Sequence, residues 1–169
     1  ATVRRSPFTG GVEILKREAN ANAEEHSIEV QLPFLQRTLG AFKLTPIALA
    51  HIAHDQCAEI GGAIAAYVRQ QKKIIIRASS DLSHYLSPRR TEALDRLALA
   101  QVLALSPVGL LDVTAENNIT MCGVIPTAVM LYAANQLGAK RATLLKHCHS
   151  GDVAPMRNVV GYASVALEI

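Results

Sequence analysis

The feature that most constrains the fold is a nearly continuous apolar run, Ile74–Ala78, which changes abruptly into the polar segment Ser79–Pro88. Such a run is typical of a strand that is covered on both faces of a parallel sheet. A strand at Leu44–Ile52 and a helix at Asp55–Gln71, which Asp55 can cap, are predicted before it. This β-α-β order predicts an α/β fold with a mainly parallel central sheet and helices on both faces.

The rest of the chain is predicted to contain helices and two more strands. No internal repeat or low-complexity tract divides the 169 residues, so residues 1–169 are predicted to form a single domain. A Ser-Pro pair is typical of a helix start, and a glycine commonly follows a helix end. The predicted helices are Thr91–Leu105, Ser106–Glu116 and Gly123–Leu137, and the predicted strands are Ala142–Cys148 and Val159–Glu168.

Nearer its start, the chain has an apolar helical stripe between Ile28 and Leu39, and His26 lies in its first turn. Pro33 lacks the N–H that a helix interior needs, so it is expected to kink the helix or restart it. Short loops are predicted at Thr9–Gly11, Ala19–Ala23 and Ser150–Asn158.

Charge and composition argue against several classes of protein. The formal charge is +3, but the basic residues are scattered, and the chain has four Tyr, three Phe and no Trp, which disfavours nucleic-acid binding. The three cysteines have no CxxC spacing, so we expect no disulfide framework and a cytoplasmic location. Apolar stretches such as Leu97–Leu105 are far shorter than the roughly 20 residues that cross a bilayer. No signal peptide and no membrane span are expected.

The polar segment after Ile74–Ala78 is the first candidate site, because ligands of open α/β sheets bind at the carboxyl ends of strands. Asp81 and His84 are close enough in sequence for the carboxylate to orient the imidazole. A general base or the outer shell of a metal site requires such an arrangement. The alternative is that Asp81 caps a turn and His84 is an ordinary surface residue.

Cys122 and His26 each allow two interpretations. Cys122 precedes a predicted helix, whose positive end would favour a thiolate able to bind metal or take part in redox chemistry. The alternative is a small buried apolar residue, which is our interpretation of Cys57. His26 lies among glutamates and is either a charged loop residue or a polar group that faces a cleft.

Other chemistries are less well supported. His147 and His149 would share one face of a strand and form a rival metal pair. Ser80, Asp81 and His84 include the residue types of a serine-hydrolase triad, but they are crowded together and no nucleophile elbow is present. The Gly61–Gly62 pair falls inside a predicted helix, so it does not indicate a phosphate-binding loop.

Four segments of the chain resemble the Memo family, the family of AmmeMemoRadiSam system protein B. They are EEHSIEVQLPFLQ at 24–36, IIIRASSDLSHY at 74–85, TMCGVIPTAVML at 120–131, and SGDV with VVGYASVALE near the end. The resemblance extends from about Pro7 onward. It implies a fold like that of class III extradiol dioxygenases, of which the chain would contain the C-terminal three-fifths or so, starting after the N-terminal strands of the family domain.

The resemblance also implies a metal site in a cleft. The metal would be iron or copper, with Cys122 as a ligand and two histidines from the N-terminal portion of the family domain, which precedes this chain. Asp81 and His84 would line the site, and His26 matches a cleft-facing histidine. Ring-cleaving relatives of this fold hold Fe(II) with two histidines and a carboxylate, whereas a thiolate is a softer ligand that suits copper.

Three functions are therefore considered. In the leading hypothesis Cys122 binds iron or copper for redox chemistry, His84 transfers protons and His26 helps to bind a small-molecule substrate or an oxygen species. An enzymatic alternative is an extradiol-type dioxygenase that acts on a small aromatic compound. A non-enzymatic alternative is a module that binds a peptide or a protein in the same cleft.

Overall fold

The computed structural model describes residues 3–5, 26–71 and 73–169. The chain divides into two compact units, Ala1–Ala50 and His51–Ile169. The loops predicted at Thr9–Gly11 and Ala19–Ala23 lie outside the described residues.

In the first unit, a short parallel strand pair accompanies two short helices. Strand β1 (Val3–Arg5) pairs in parallel with β2 (Phe42–Leu44), and the helices are α1 (His26–Glu29) and α2 (Leu32–Leu39). Pro33 lies in the first turn of α2, where a helical residue donates no intrahelical hydrogen bond. The predicted restart of the helix at Pro33 is therefore confirmed.

The strand predicted at Leu44–Ile52 is wrong over most of its length. The observed strand β2 ends at Leu44, and residues 45–50 belong to no strand. Pro46 lacks a backbone N–H, which a strand needs for its ladder of hydrogen bonds. An apolar sequence alone therefore does not extend the strand past this point.

The second unit contains the long helices, and the sequence predicted each of them with only small shifts at the ends. Ser106 caps one of them, because its hydroxyl oxygen accepts a hydrogen bond from the Gly109 N–H at 3.1 Å. None of the described helices is both long and apolar enough to cross a membrane. The helices are α3 (His54–Arg69), α4 (Pro88–Leu103), α5 (Pro107–Glu116) and α6 (Val124–Gln136).

The last two strands form an antiparallel hairpin-like pair. Strand β3 (Arg141–His149) pairs with β4 (Gly161–Glu168), and the register is interrupted between Leu144 and Lys146. Both predicted strands are confirmed. The predicted loop at Ser150–Asn158 is confirmed as well, since the segment that joins them contains only a single 3-10 turn.

The strand expected at Ile74–Ala78 is not formed. These residues lie in no strand of the described structure, and Ile75 is 74% exposed. Branched apolar side chains favour a strand, but a strand also needs a neighbouring edge with which to pair. The described residues thus form a mixed α/β structure with one parallel and one antiparallel strand pair. A mainly parallel central sheet stays a prediction.

The main core of the second unit lies between α4, α5, α6 and the loops beside them. Each fully buried aliphatic side chain of this kind stabilises the fold by about 1.5–3 kcal/mol. Leu82 and Met121 matter most for the site, because they anchor two polar loops in this core. The buried core residues are Leu82, Leu94, Ala98, Leu99, Val102, Leu110, Ile119, Met121 and Leu131.

Helices α3 and α6 pack closely at Gly61, which yields a test of the fold. A Cβ atom at Gly61 would lie 2.6 Å from the Cβ of Tyr132 and 2.9 Å from the carbonyl oxygen of Val129. We expect Gly61→Ala to destabilise the protein by up to roughly 2 kcal/mol, because overpacking of about 1–3 kcal/mol opposes the roughly 1 kcal/mol gained in helix propensity. Urea denaturation measures the change.

The neighbouring Gly62 provides the matched control. A Cβ atom at Gly62 would meet only the end of the flexible Gln136 side chain, 3.1 Å away. Gly62→Ala should therefore be neutral or stabilise the protein by up to about 1 kcal/mol. Equal effects of the two substitutions would contradict the close helix contact at Gly61.

Candidate functional site

The loop that carries Asp81 and His84 is fixed to the start of β4. The Leu82 N–H donates a hydrogen bond to the Gly161 carbonyl at 2.9 Å, and the Gly161 N–H donates one to the Ser83 carbonyl at 2.9 Å. The Leu82 side chain is buried in the core. Because the loop is held at its middle, Asp81 and His84 are presented at the surface with 48% and 21% of their side chains exposed.

A second loop brings Cys122 against the first. Cys122 lies two residues before α6 and is exposed, whereas Met121 before it is buried in the core. The Gly123 N–H donates a hydrogen bond to the Ser80 hydroxyl at 2.8 Å, and that hydroxyl donates one to the Asp81 carbonyl at 2.6 Å. Ser80 thus ties the two loops together.

The Cys122 sulfur receives a hydrogen bond from the loop of Asp81. The Asp81 N–H points at the Cys122 Sγ over 3.4 Å, and the Ser80 Oγ lies 3.8 Å from the same sulfur. Groups that bind metals are commonly oriented by such outer hydrogen bonds. The structure therefore places Cys122 and Asp81 side by side.

Thr120 holds His84 at two points, one on the backbone and one on the imidazole. The backbone N–H of His84 donates to the Thr120 hydroxyl at 2.7 Å, and the His84 Nδ1 lies 2.7 Å from the Thr120 carbonyl oxygen. A carbonyl oxygen only accepts, so Nδ1 carries the proton and a neutral ring has its lone pair on Nε2. His84 is therefore in the tautomer in which Nε2 accepts a proton.

Asp81 faces His84 but does not make the hydrogen bond that orients it. The Asp81 Oδ2 lies 3.7 Å from the His84 Nε2, which is longer than a hydrogen bond. The sequence analysis assigned the orienting role to Asp81, whereas the structure gives the hydrogen bond to Thr120. The Asp81 carboxylate is placed to stabilise the ring when Nε2 is protonated.

Two tyrosines border the same surface. Tyr85 has a φ of 58°, a left-handed conformation that is rare for an aromatic residue, and its ring centroid lies 5.8 Å from that of His84. The Tyr162 hydroxyl has a raised pKa because of burial and the nearby charges of Asp81, Cys148 and Tyr85. Tyr162 therefore stays protonated and able to donate a hydrogen bond.

Three of the predicted site residues, Asp81, His84 and Cys122, thus come together in the second unit. His26 begins α1 in the first unit and is exposed, and its part in the site stays a prediction. The sequence analysis missed Ser80 and Thr120 as the residues that hold the cluster. Both lie within two residues of a candidate, but no pattern separates a hydroxyl that fixes a loop from one that only faces solvent.

The site fits a metal ion only in part. Among residues 26–71 and 73–169, no group of three or more His, Cys, Asp or Glu side chains could hold a metal ion. Protein metal sites usually need at least three protein ligands, and Cys122 supplies one soft donor. The described residues therefore do not complete a metal shell by themselves.

The rival pair on β3 has other partners. The His147 Nε2 lies 2.9 Å from the Asp95 Oδ2, and the His149 Nδ1 lies 3.4 Å from the Asp152 Oδ1. Each imidazole thus faces a different carboxylate.

Cys57 is buried in α3, as predicted. Burial, followed by the charge of Asp55, raises the pKa of the Cys57 thiol. The raised pKa disfavours thiolate chemistry at Cys57.

An open pocket of about 370 Å³ adjoins the loop that carries Cys122. Ile119 and Val124, which lie on either side of that loop in sequence, line the pocket together with Leu111. His51 and His54, to which the sequence analysis gave no role, also line it. The mainly apolar lining offers a place for the apolar part of a ligand.

Comparisons with known proteins agree with the resemblance seen in the sequence. A family model described as Memo-like protein matches residues 8–166. The chain is 42% identical over 147 residues to a MEMO1 family protein of Methanosarcina acetivorans, covering 85% of the chain and 55% of that relative. It is 38% identical over 157 residues to one of Methanococcoides burtonii, covering 92% of the chain and 60% of the relative.

A third relative extends the match to another genus. The chain is 37% identical over 147 residues to a MEMO1 family protein of Pyrobaculum aerophilum, covering 86% of the chain and 52% of the relative. The chain thus spans between 52% and 60% of the length of these three relatives. By these matches, which cover nearly all of its residues, the chain belongs to the Memo family.

Proposed function

We propose that the site takes part in iron- or copper-dependent redox chemistry, with Cys122 as a metal ligand and His84 as the group that transfers protons. The observation that carries this proposal is the contact of two loops, in which the Asp81 N–H lies 3.4 Å from the Cys122 Sγ while His84 extends from the same loop as Asp81. A soft donor, a fixed base and a carboxylate thereby share one exposed surface.

The donor chemistry favours a metal that accepts sulfur. A thiolate is a soft ligand, and copper and iron bind such ligands well. A bound iron or copper ion would supply one-electron redox chemistry at the site. Since the described residues provide fewer than three ligands, the remaining ligands come from other parts of the family domain, as its resemblance to the class III extradiol dioxygenase fold implies.

His84 is suited to proton transfer by its tautomer. Its Nδ1 proton is engaged by the Thr120 carbonyl, so Nε2 is left to take a proton from a bound molecule. The Asp81 carboxylate, 3.7 Å from Nε2, would stabilise the imidazolium that forms. Tyr162 would donate a hydrogen bond to the same small-molecule substrate, and His26 would complete the cleft.

The proposal also covers the fold of the whole family domain and the location of the protein in the cell. Its central sheet is mainly parallel and includes residues 74–78 as a strand once a neighbouring strand is present. The free thiols of Cys57, Cys122 and Cys148 fit a cytoplasmic location. The ring-cleaving and peptide-binding alternatives differ from this proposal in substrate and in metal content, so the experiments below separate them.

Metal binding tests the role of Cys122. We expect the chain to bind Cu(I) and Fe(II) at least about tenfold more weakly than the Methanosarcina acetivorans relative, because its described ligand set is incomplete. Cys122→Ser should lower the affinity of the chain for Cu(I) by a further factor of about ten or more, since a hydroxyl is a poor soft-metal ligand. Anaerobic titration with a competing chelator measures both.

Cys148→Ser is the matched control, because Cys148 is a partly buried thiol on β3. It should leave the Cu(I) affinity unchanged within about threefold. Equal affinities of the wild type and Cys122→Ser would contradict the ligand role and favour a module that binds a peptide without metal.

Substitution of His84 separates proton transfer from metal binding. His84→Gln should keep the metal affinity within about threefold but lower oxygen consumption by the metal-loaded protein, with ascorbate as reductant, by about a hundredfold. An oxygen electrode and metal analysis of the same sample measure the two effects.

His149→Gln, at a histidine of β3 that lies outside both the cluster and the pocket, is the control and should match the wild type. Loss of metal together with activity in His84→Gln would make His84 a ligand. Turnover of catechols in place of ascorbate-driven oxygen consumption would favour the ring-cleaving alternative.

A further inference from the structure

Asp95 is a carboxylate in α4 that is completely buried and lies beneath the site loop. Its Oδ1 accepts a hydrogen bond from the Ser83 N–H at 2.9 Å, and its Oδ2 lies 2.9 Å from the His147 Nε2. A carboxylate only accepts, so the His147 ring donates to it. Asp95 thus joins the loop of His84 to strand β3.

The backbone of Gly161 packs closely against the Asp95 carboxylate. A Cβ atom at Gly161 would lie 1.9 Å from the Asp95 Oδ2, so the carboxylate rests directly on the main chain of Gly161. Gly161 is the residue that exchanges hydrogen bonds with Leu82 and Ser83. Asp95 therefore holds Ser83 through its N–H, while Gly161 holds Ser83 through its carbonyl oxygen and Leu82 through its N–H.

Stability alone does not account for a carboxylate at this position. Removing a charged group from water costs several kcal/mol, and well-packed apolar replacements of buried charged groups are often neutral or stabilising. Asp95 nevertheless has 0% exposure, and its neighbours along α4, Leu94 and Ala98, belong to the apolar core. The contacts that an apolar residue could not make are the hydrogen bonds with the His147 ring and with the backbone N–H of Ser83, which directly precedes His84.

We infer that Asp95 is a positioning residue that holds His84 in its tautomer and orientation through the backbone of Ser83, with His147 fixing the carboxylate from the far side. The inference rests on the proposed function, because His84, the residue that Asp95 would position, is the group that transfers protons in that function. The position of His84 then depends on the hydrogen bonds of two backbone N–H groups. Asp95 fixes that of Ser83, and Thr120 fixes that of His84.

The test is nuclear magnetic resonance of metal-free protein in which all nitrogens are isotope-labelled, so that the histidine rings report the tautomer of His84 and the backbone amides report the exchange rate of Ser83. The ring signal that is absent from the spectrum of His84→Gln is assigned to His84. In the wild type we expect the Nδ1–H tautomer. In Asp95→Ala we expect a mixture of tautomers and exchange of the Ser83 amide faster by about tenfold or more. Asp95→Asn keeps an oxygen for Ser83 and should retain most of the wild-type behaviour.

Glu92→Ala, at a half-exposed carboxylate of the same helix, is the matched control and should change neither signal. A folded Asp95→Ala protein with the wild-type His84 tautomer and Ser83 exchange rate would overturn the inference. If Asp95→Ala does not fold, His147→Phe decides, with His149→Phe as its control. A change of the His84 tautomer in His147→Phe alone supports the inference, and its absence overturns it.

These signals need neither metal nor turnover. A protein that binds no metal but shows the predicted Asp95 effects would therefore reject the proposed function and keep the positioning role. The reverse result would reject only the positioning role.

Discussion

The candidate site depends on the two hydrogen bonds that Gly161 exchanges with the loop of residues 79–85. They hold Leu82 and Ser83 against the first residue of β4, and the buried side chain of Leu82 prevents the loop from lifting away. A loop fixed at its centre leaves its flanking residues little freedom. Asp81 and His84 are those residues, so their geometry follows from backbone contacts and not from contacts with each other.

The second loop is fixed by the same means. Met121 is buried in the core next to the exposed Cys122, and Ser80 accepts the Gly123 N–H at the start of α6. A buried side chain fixes the main chain and thereby holds the exposed side chain of the next residue at the surface. The loss of one anchoring residue would move a reactive group by changing the path of the main chain, even though the anchor touches no ligand.

Membership of the Memo family agrees with this arrangement, since the matched region from residue 8 to residue 166 includes both loops and the strand that holds them. Family membership also gives a physical reason why the described residues would supply only part of the ligands of the proposed metal site. Metal shells in proteins gather ligands from distant parts of a chain, and the relatives from Methanosarcina acetivorans and Pyrobaculum aerophilum extend well beyond the matched region. In the proposed function, Cys122 and His84 would form one wall of a larger site.

The sequence by itself determined the helices α3 to α6, the hairpin strands and the approximate location of Asp81, His84 and Cys122, because helical periodicity, caps and local motifs are short-range properties. It failed at residues 74–78, where a strand depends on a partner edge, and at Leu44–Ile52, where Pro46 interrupts the ladder. Only the tertiary structure decided that Thr120 orients His84 and that Asp95 lies beneath it. Those contacts join residues 36 and 12 positions apart, and such pairing is fixed by packing, which no local pattern encodes.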